Sequence, residues 1–322
     1  MINLDAIKHV HRLPRGLTRF VDTKINHRPV LVNLELTKAC NAKCHFCTCW
    51  TVENHPQLAD YADVIKTIRP VVVSVNGGEP LLRRDIVKIL RNIRPHCIYL
   101  AIITNGSLLT LEKSRELRAA GLDQITISLD YLSDQHNEVR VIDNLFKHIS
   151  TLVPQIVADG FDNVVLNTII MQSNLDHLVP LAKQADEWGI KISFSAYSSN
   201  KADNHSEMIS PENLAKLGSV VEELKAMKRE RGHIMASEYF FDHVVPYFTN
   251  KAIGGCKAGQ KWVTVTPDGY IQPCSETARV CHYTEYDPSL FGDIDCDVCW
   301  YACRAESQAP VTVARVKEWV RG

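Results

Sequence analysis

Leu36-Thr37-Lys38-Ala39-Cys40-Asn41-Ala42-Lys43-Cys44-His45-Phe46-Cys47 follows directly on the apolar run Val30 to Leu36 and carries three cysteines spaced C-x3-C-x2-C. Three thiolates that close can hold three corners of a cubane iron–sulfur cluster and leave the fourth iron without a protein ligand, which makes that iron a chemical site. A closed zinc site is the competing reading, with Cys49, two residues on, as its fourth thiolate. Cys49 otherwise reads as a bystander, and His45 as a loop side chain.

Outward from this loop, short β-branched runs alternate with helical patterns. The runs are Val30 to Leu36, Val71 to Val75, Ile98 to Thr104, Ile125 to Leu129, Val164 to Ile170 and Ile190 to Tyr197. Each is the near-continuous apolar stretch expected of a strand buried on both faces, and each gap is long enough for a crossover helix. Helices are predicted over Leu109 to Ala120, stopped by Gly121, and over Leu175 to Trp188, stopped by Gly189. Six βα units in succession predict an α/β fold, a partial (β/α)6 TIM-type barrel. Polar elements then fall just after or within successive strands: Asn76-Gly77-Gly78-Glu79-Pro80, Thr104-Asn105-Gly106, Ser128-Leu129-Asp130 and Asn167. In βα barrels active sites form at the carboxyl ends of the strands, so these elements converge on the cysteine loop.

The pattern changes near residue 200. Helices are expected around Pro211 to Arg231 and Glu238 to Asn250, then a hairpin with the turn Thr266-Pro267-Asp268-Gly269, and a closing helix over residues 306–321. The expected organisation is an extension at 1–29, the barrel at 30–200, a helical connector at 201–252 and a small cysteine-rich unit at 253–322.

The 322 residues are 45% hydrophobic and 23% charged, enough for a substantial core, and a net charge of -1 gives no field for gripping nucleic acid. No apolar run is long enough for a membrane helix and the start lacks a secretion signal, so the expected location is cytoplasmic. The basic stretch Lys8, Arg12, Arg15, Arg19, Lys24 and Arg28 leaves peripheral membrane or anionic-substrate contact open, beside the plainer reading of a solvated edge. Eleven cysteines in a chain of this kind favour metal ligation over disulfides; Cys97, at the start of a strand, reads as packing.

The cysteine spacing, with Phe46 before the third cysteine, resembles the signature of the radical S-adenosylmethionine (SAM) family. The resemblance implies an enzyme in which SAM chelates the open iron of a [4Fe–4S] cluster on Cys40, Cys44 and Cys47, and is split reductively to a 5′-deoxyadenosyl radical. Gly77, Gly78, Glu79 and Pro80 match the family's GGEP element, which contacts the methionyl amine, and the paired glycines suit close backbone approach to a ligand. Phe46, Thr104, Asn105 and Asn167 join this SAM-binding set. Ser128 and Asp130 offer partners for a ribose, and Arg140 a fork for a carboxylate. The stretch to Arg140 departs from the family pattern at Asn137, where Asp is usual, and at Val141, where Gly is usual. An electron donor of the flavodoxin or ferredoxin type is implied.

Cys256, twelve residues, Gly269, four residues and Cys274, followed by Cys296-Asp297-Val298-Cys299 and Cys303, resemble the auxiliary-cluster domain called SPASM or its shorter form, twitch. That resemblance implies one auxiliary [4Fe–4S] cluster on Cys256, Cys274, Cys296 and Cys299, with Cys303 the rival for the last position. A structural zinc ribbon competes with it. Such a cluster would take an electron from a substrate radical and give oxidation, whereas a free thiol, Cys281 or Cys303, would return hydrogen and give epimerisation. With about thirty residues before the first strand there is no room for a separate peptide-binding domain, so a small biosynthetic metabolite is the expected substrate. A peptide maturase is the alternative, and a non-catalytic zinc scaffold is the reading from another class.

Overall fold

A computed structural model describes residues 13–52 and 55–312. Six strands, β1 (Leu31–Thr37), β2 (Val72–Gly77), β3 (Tyr99–Thr104), β4 (Gln124–Ser128), β5 (Val164–Ile170) and β6 (Lys191–Ala196), pair in parallel with each sequential neighbour. The sheet order is β6-β5-β4-β3-β2-β1-β7-β8-β9, where β7 (Trp262–Val265) adds in parallel to the free edge of β1. The strands β8 (Tyr270–Gln272) and β9 (Cys281–His282) follow antiparallel, so the expected hairpin is a continuation of the barrel sheet.

The strands are not apolar on both faces, as the runs had implied. Val32, Leu34 and Leu36 on β1, Val73 and Val75 on β2, Ile125 and Ile127 on β4, and Ile192 and Phe194 on β6 are buried to 2% exposure or less. They pack beneath the helices, each side chain contributing roughly 1.5–3 kcal/mol. The alternate positions are polar and in register across the sheet: Asn33 beside Ser74 and Thr264, Glu35 beside Asn76, Ser128 beside Asn167, and Asn167 beside Ser193. An incomplete barrel has fewer strands to fill its interior, and this one turns a hydroxyl- and amide-bearing face inward in place of the apolar layers of a closed barrel.

Between the strands run α1 (Leu13–Ile25), which precedes β1, then α2 (Ala62–Ile68), α3 (Ile86–Ile93), α4 (Leu111–Ala119), α5 (Gln135–Arg140), α6 (Leu145–Ala158) and α7 (Leu178–Glu187). The Thr110 hydroxyl caps α4 by accepting the Lys113 N–H at 3.0 Å. Beyond β6 lie α8 (Leu214–Arg231), ended by Gly232 at φ +75°, and α9 (Glu238–Asn250), capped by Ser237. A helix, α10, spans Ala302–Gln308 and overlaps the start of the helix expected over 306–321, of which residues 313–321 lie outside the described part. The chain around it returns to the far edge of the sheet. Ala196 N–H donates to Trp300 O at 3.2 Å, and Ser198 Oγ to Val298 O at 2.9 Å. The carboxyl-terminal segment thus bridges β7 and the edge strand β6.

Helix α1 sits at the amino ends of the strands. Arg15 donates to Pro95 O, Arg19 to Pro70 and His96 O, and Arg28 to Thr67 and Ile68 O. These basic residues satisfy protein carbonyls, while Lys8 and Arg12 lie outside the described residues. No helix among the described residues is long and apolar enough to cross a membrane.

Candidate functional site

The cysteine loop is fixed by the segment after β2. Gly78 N–H donates to Thr37 O at 2.7 Å and Glu79 N–H to Ala39 O at 2.8 Å. A Cβ on Gly78 would lie 1.9 Å from Ala39 O, and one on Gly77, at φ +127°, 2.3 Å from Thr37 O. The close approach that these glycines allow is therefore to the backbone of the cysteine loop. On the other side Lys43 N–H donates to Arg140 O at 3.0 Å, and Asn105 Nδ2 to Asn41 Oδ1 at 2.9 Å.

Glu79 is 1% exposed and bound on both oxygens: Oε1 accepts from Thr104 Oγ1 and Leu81 N–H, and Oε2 from Asn105 N–H. Burial raises its pKa, and those hydrogen bonds oppose the rise. Glu79, Thr104 and Asn105 thereby brace the loop after β2 against the one after β3, with the buried Pro80 opening a 3₁₀ turn after Glu79. Ser128 and Asn167 are register partners on the polar face of the sheet.

Cys40 is pushed up to about 11, chiefly by burial and in part by Cys44 and Cys47, and Cys44 is raised chiefly by burial and in part by Cys47. Cys47 is pushed down to about 5, first by a hydrogen bond from the Cys49 thiol and then by Lys201. Spacing gave no signal for Lys201. It sits on the loop after β6, where the charges of Cys49, Cys47, Glu276 and Glu35 outweigh the effect of burial and raise its pKa. The same loop reaches the cysteines again through Asn204 Nδ2 on His45 O, and through Glu207, 3.3 Å from His45 Nε2.

Asp130 and Arg140 form a buried ion pair. Asp130 Oδ1 also accepts Ile169 N–H at 3.0 Å, so each of its oxygens has a partner within the protein. Arg140 Nη1 lies 3.8 Å from Cys44 Sγ, and its guanidinium stacks 5.2 Å from the Phe46 ring centroid. His136, wholly buried beside them, is pushed down to about 4 by burial and by Arg140, and stays neutral.

Val141, where the family pattern has glycine, adopts φ +54° and is 57% exposed. A β-branched residue in the left-handed region costs about 1–2 kcal/mol. Val141→Gly is expected to raise Tm, by up to about 1 kcal/mol of stability after the added chain entropy of glycine. A thermal melt with no rise would place the strain elsewhere.

The second group of cysteines also comes together. Cys256, Cys274, Cys296, Cys299 and Cys303 line one small cavity with Trp262, Arg304, Glu276 and two residues of the polar sheet face, Asn33 and Thr264. Burial pushes Cys274 up to about 11 and Cys303 up to about 12, and raises Cys256 and Cys299 as well. Asn33, which shares the cavity wall with Cys303, opposes that rise at the Cys303 thiol. Cys281 does not line the cavity; it is buried on β9, beside Glu285. Cys97 is 2% exposed at the start of β3, packed against α3. Among the described residues no three Cys, His, Asp or Glu side chains converge as a single-ion site.

Residues 34–185 match the family described as the Radical SAM superfamily. A probable GTP 3′,8-cyclase of Methanococcus maripaludis is 26% identical over 255 residues, which cover 75% of this chain and 83% of that protein. A PqqA peptide cyclase of Methylocella silvestris is 24% identical over 259 residues, covering 76% and 68%. The crystal structure of Streptococcus suis SuiB bound to S-adenosylmethionine superposes with a TM-score of 0.67 at 17% identity, over 87% of this chain and 70% of that one, a likeness of fold.

Proposed function

Residues 34–185 match the Radical SAM superfamily, and from that match we propose that the chain is a member of it, an enzyme that abstracts hydrogen from a polar substrate held against the inner face of the barrel. In this reading residues 30–200 carry SAM chemistry and residues 253–322 an auxiliary cluster. Cys40, Cys44 and Cys47 hold the first [4Fe–4S] cluster, and Cys256, Cys274, Cys296 and Cys299 a second. Bound there, the first cluster and SAM supply reductive cleavage of the sulfonium to a 5′-deoxyadenosyl radical.

The chain's own residues do the rest. The GGEP backbone seats the cysteine loop, Arg140 puts a fixed cation beside Cys44, and Lys201 puts another beside Cys47. One observation carries the reading: the five-cysteine cavity shares Asn33 and Thr264 with the polar sheet face, so the second metal group would border the same inner space as the substrate. That face, with Asn33, Ser74, Asn76, Asn167 and Ser193, offers hydrogen bonds rather than apolar contact, and supports a small polyhydroxy or amino metabolite. A second reading, a peptide substrate, is favoured by the relative named as a peptide cyclase. Cys303, the thiol that lines the cavity beside Asn33, is the candidate hydrogen donor for an epimerising outcome, and a flavodoxin- or ferredoxin-type protein the candidate electron donor.

Anaerobic, reduced protein is expected to form 5′-deoxyadenosine from SAM, and no product under these conditions would reject the enzyme. Cys44→Ala is expected to abolish that product. Cys274→Ala is expected to keep uncoupled SAM cleavage while losing about four irons and turnover of the substrate. Equal loss of SAM cleavage in the two variants would refute the division of labour between the sites.

A further inference from the structure

Two buried N–H groups in the wall of the five-cysteine cavity lack an acceptor. Trp262 is 1% exposed and forms a small buried cluster with Cys256 and Ala258, against which Cys274 and Cys296 pack, and its Nε1–H has no partner. Arg304 is wholly buried. It donates Nη1 to Cys299 O at 2.8 Å and Nη2 to Ile253 O at 2.6 Å and Gly254 O at 2.7 Å, which leaves Nε–H without a partner.

An unsatisfied buried donor costs about 1–3 kcal/mol, and such groups are rare enough that two around one small cavity call for an acceptor inside it. The carboxylate that lines the same cavity, Glu276, is engaged on its exposed side by Ser275 Oγ and Asn200 Nδ2. Five thiols supply sulfur acceptors, and a thiolate-ligated iron–sulfur group is anionic.

We propose that Trp262 Nε1–H and Arg304 Nε–H are hydrogen-bond donors to sulfur atoms of the auxiliary cluster and raise its reduction potential; this rests on the reading of the cavity given above. Hydrogen bonds to cluster or ligand sulfur, and nearby positive charge, favour the more negative, reduced form. Three backbone carbonyls hold the Arg304 guanidinium in place, so its charge is fixed in the cavity wall before any cluster binds. Trp262 belongs to β7, so its indole is fixed by the sheet that also carries Asn33 and Thr264. Both are positioning residues for an electron-accepting group.

The test is an EPR-monitored redox titration in a Cys40→Ala/Cys44→Ala/Cys47→Ala background, where only the auxiliary signal is present, preceded by iron and sulfide analysis. Trp262→Phe, which removes the N–H and keeps an aromatic ring, is expected to retain about four irons and to shift the midpoint to a more negative potential. Arg304→Lys, which keeps the charge and removes the Nε–H, is expected to shift it in the same direction. Full iron content with an unmoved midpoint in Trp262→Phe overturns the proposal, and that variant decides the matter should Arg304→Lys fail to fold. Zinc, or no iron, in the background protein itself would reject the auxiliary cluster instead, and is seen before any potential is measured.

Discussion

Gly78→Ala is expected to abolish SAM cleavage in a chain that still folds. A methyl group at this position would stand 1.9 Å from Ala39 O, and also 2.6 Å from Lys38 O. No rotamer relieves a clash between a Cβ and backbone, so one of the two segments must move, and the Gly78 to Thr37 and Glu79 to Ala39 hydrogen bonds are lost with the movement. The displaced segment is the one that bears Cys40. A shift of about 1 Å in a positioning element costs about 10²-fold or more in rate. The expected result is loss of the iron assigned to the first site, with the iron of the carboxyl-terminal site retained and an unchanged far-UV spectrum. Wild-type iron content and SAM cleavage in Gly78→Ala would show that the loop is held by other contacts.

That outcome bears on what the sequence made legible. The six parallel strands, and the junction of the first five with the cysteine loop or a polar element, were readable because short apolar runs alternate with gaps long enough for a crossover helix. The polar face was present in the same letters. Asn33 and Glu35, Ser74 and Asn76, and Ser193 and Ser195 fall at a spacing of two within the apolar runs or, for Asn76, directly after one, the period of one strand face. Weighing each run by its overall apolar character concealed that alternation.

The glycine pair was recognisable as a site of close approach, but what it approaches depends on a contact some forty residues away in sequence. Lys201, Trp262 and Arg304 carried no signal at all. Each is an isolated residue whose significance comes from a crossover returning it to one of the cysteine groups, and no local spacing encodes that. The union of Cys303 with the four expected cysteines falls between these cases: the C-x2-C-x3-C spacing was visible, whereas its contact with Asn33 belongs to the packing of α10 against β1 and β7.

Asp130→Ala is expected to lower stability by about 3–5 kcal/mol, because it leaves the Arg140 guanidinium buried without its counter-charge. The same carboxylate holds Ile169 N–H, so β5 loses a backbone partner as well. Arg140 anchors the cysteine loop through its carbonyl on Lys43 N–H and stacks on Phe46, and a guanidinium drawn towards water would carry both contacts with it. Urea unfolding should therefore show a fall in midpoint together with reduced iron retention at the first site.

A double variant separates the charge effect from simple loss of packing. Asp130→Leu/Arg140→Met removes both charges and fills similar volume, so it is expected to recover much of the stability lost in Asp130→Ala. It is also expected to remain defective in SAM cleavage, since no cation is left beside Cys44. If the double variant were as unstable as the single one, the ion pair would not be the source of the loss. If it were fully active, Arg140 would serve the fold alone, and the cation beside Cys44 would have no part in the chemistry.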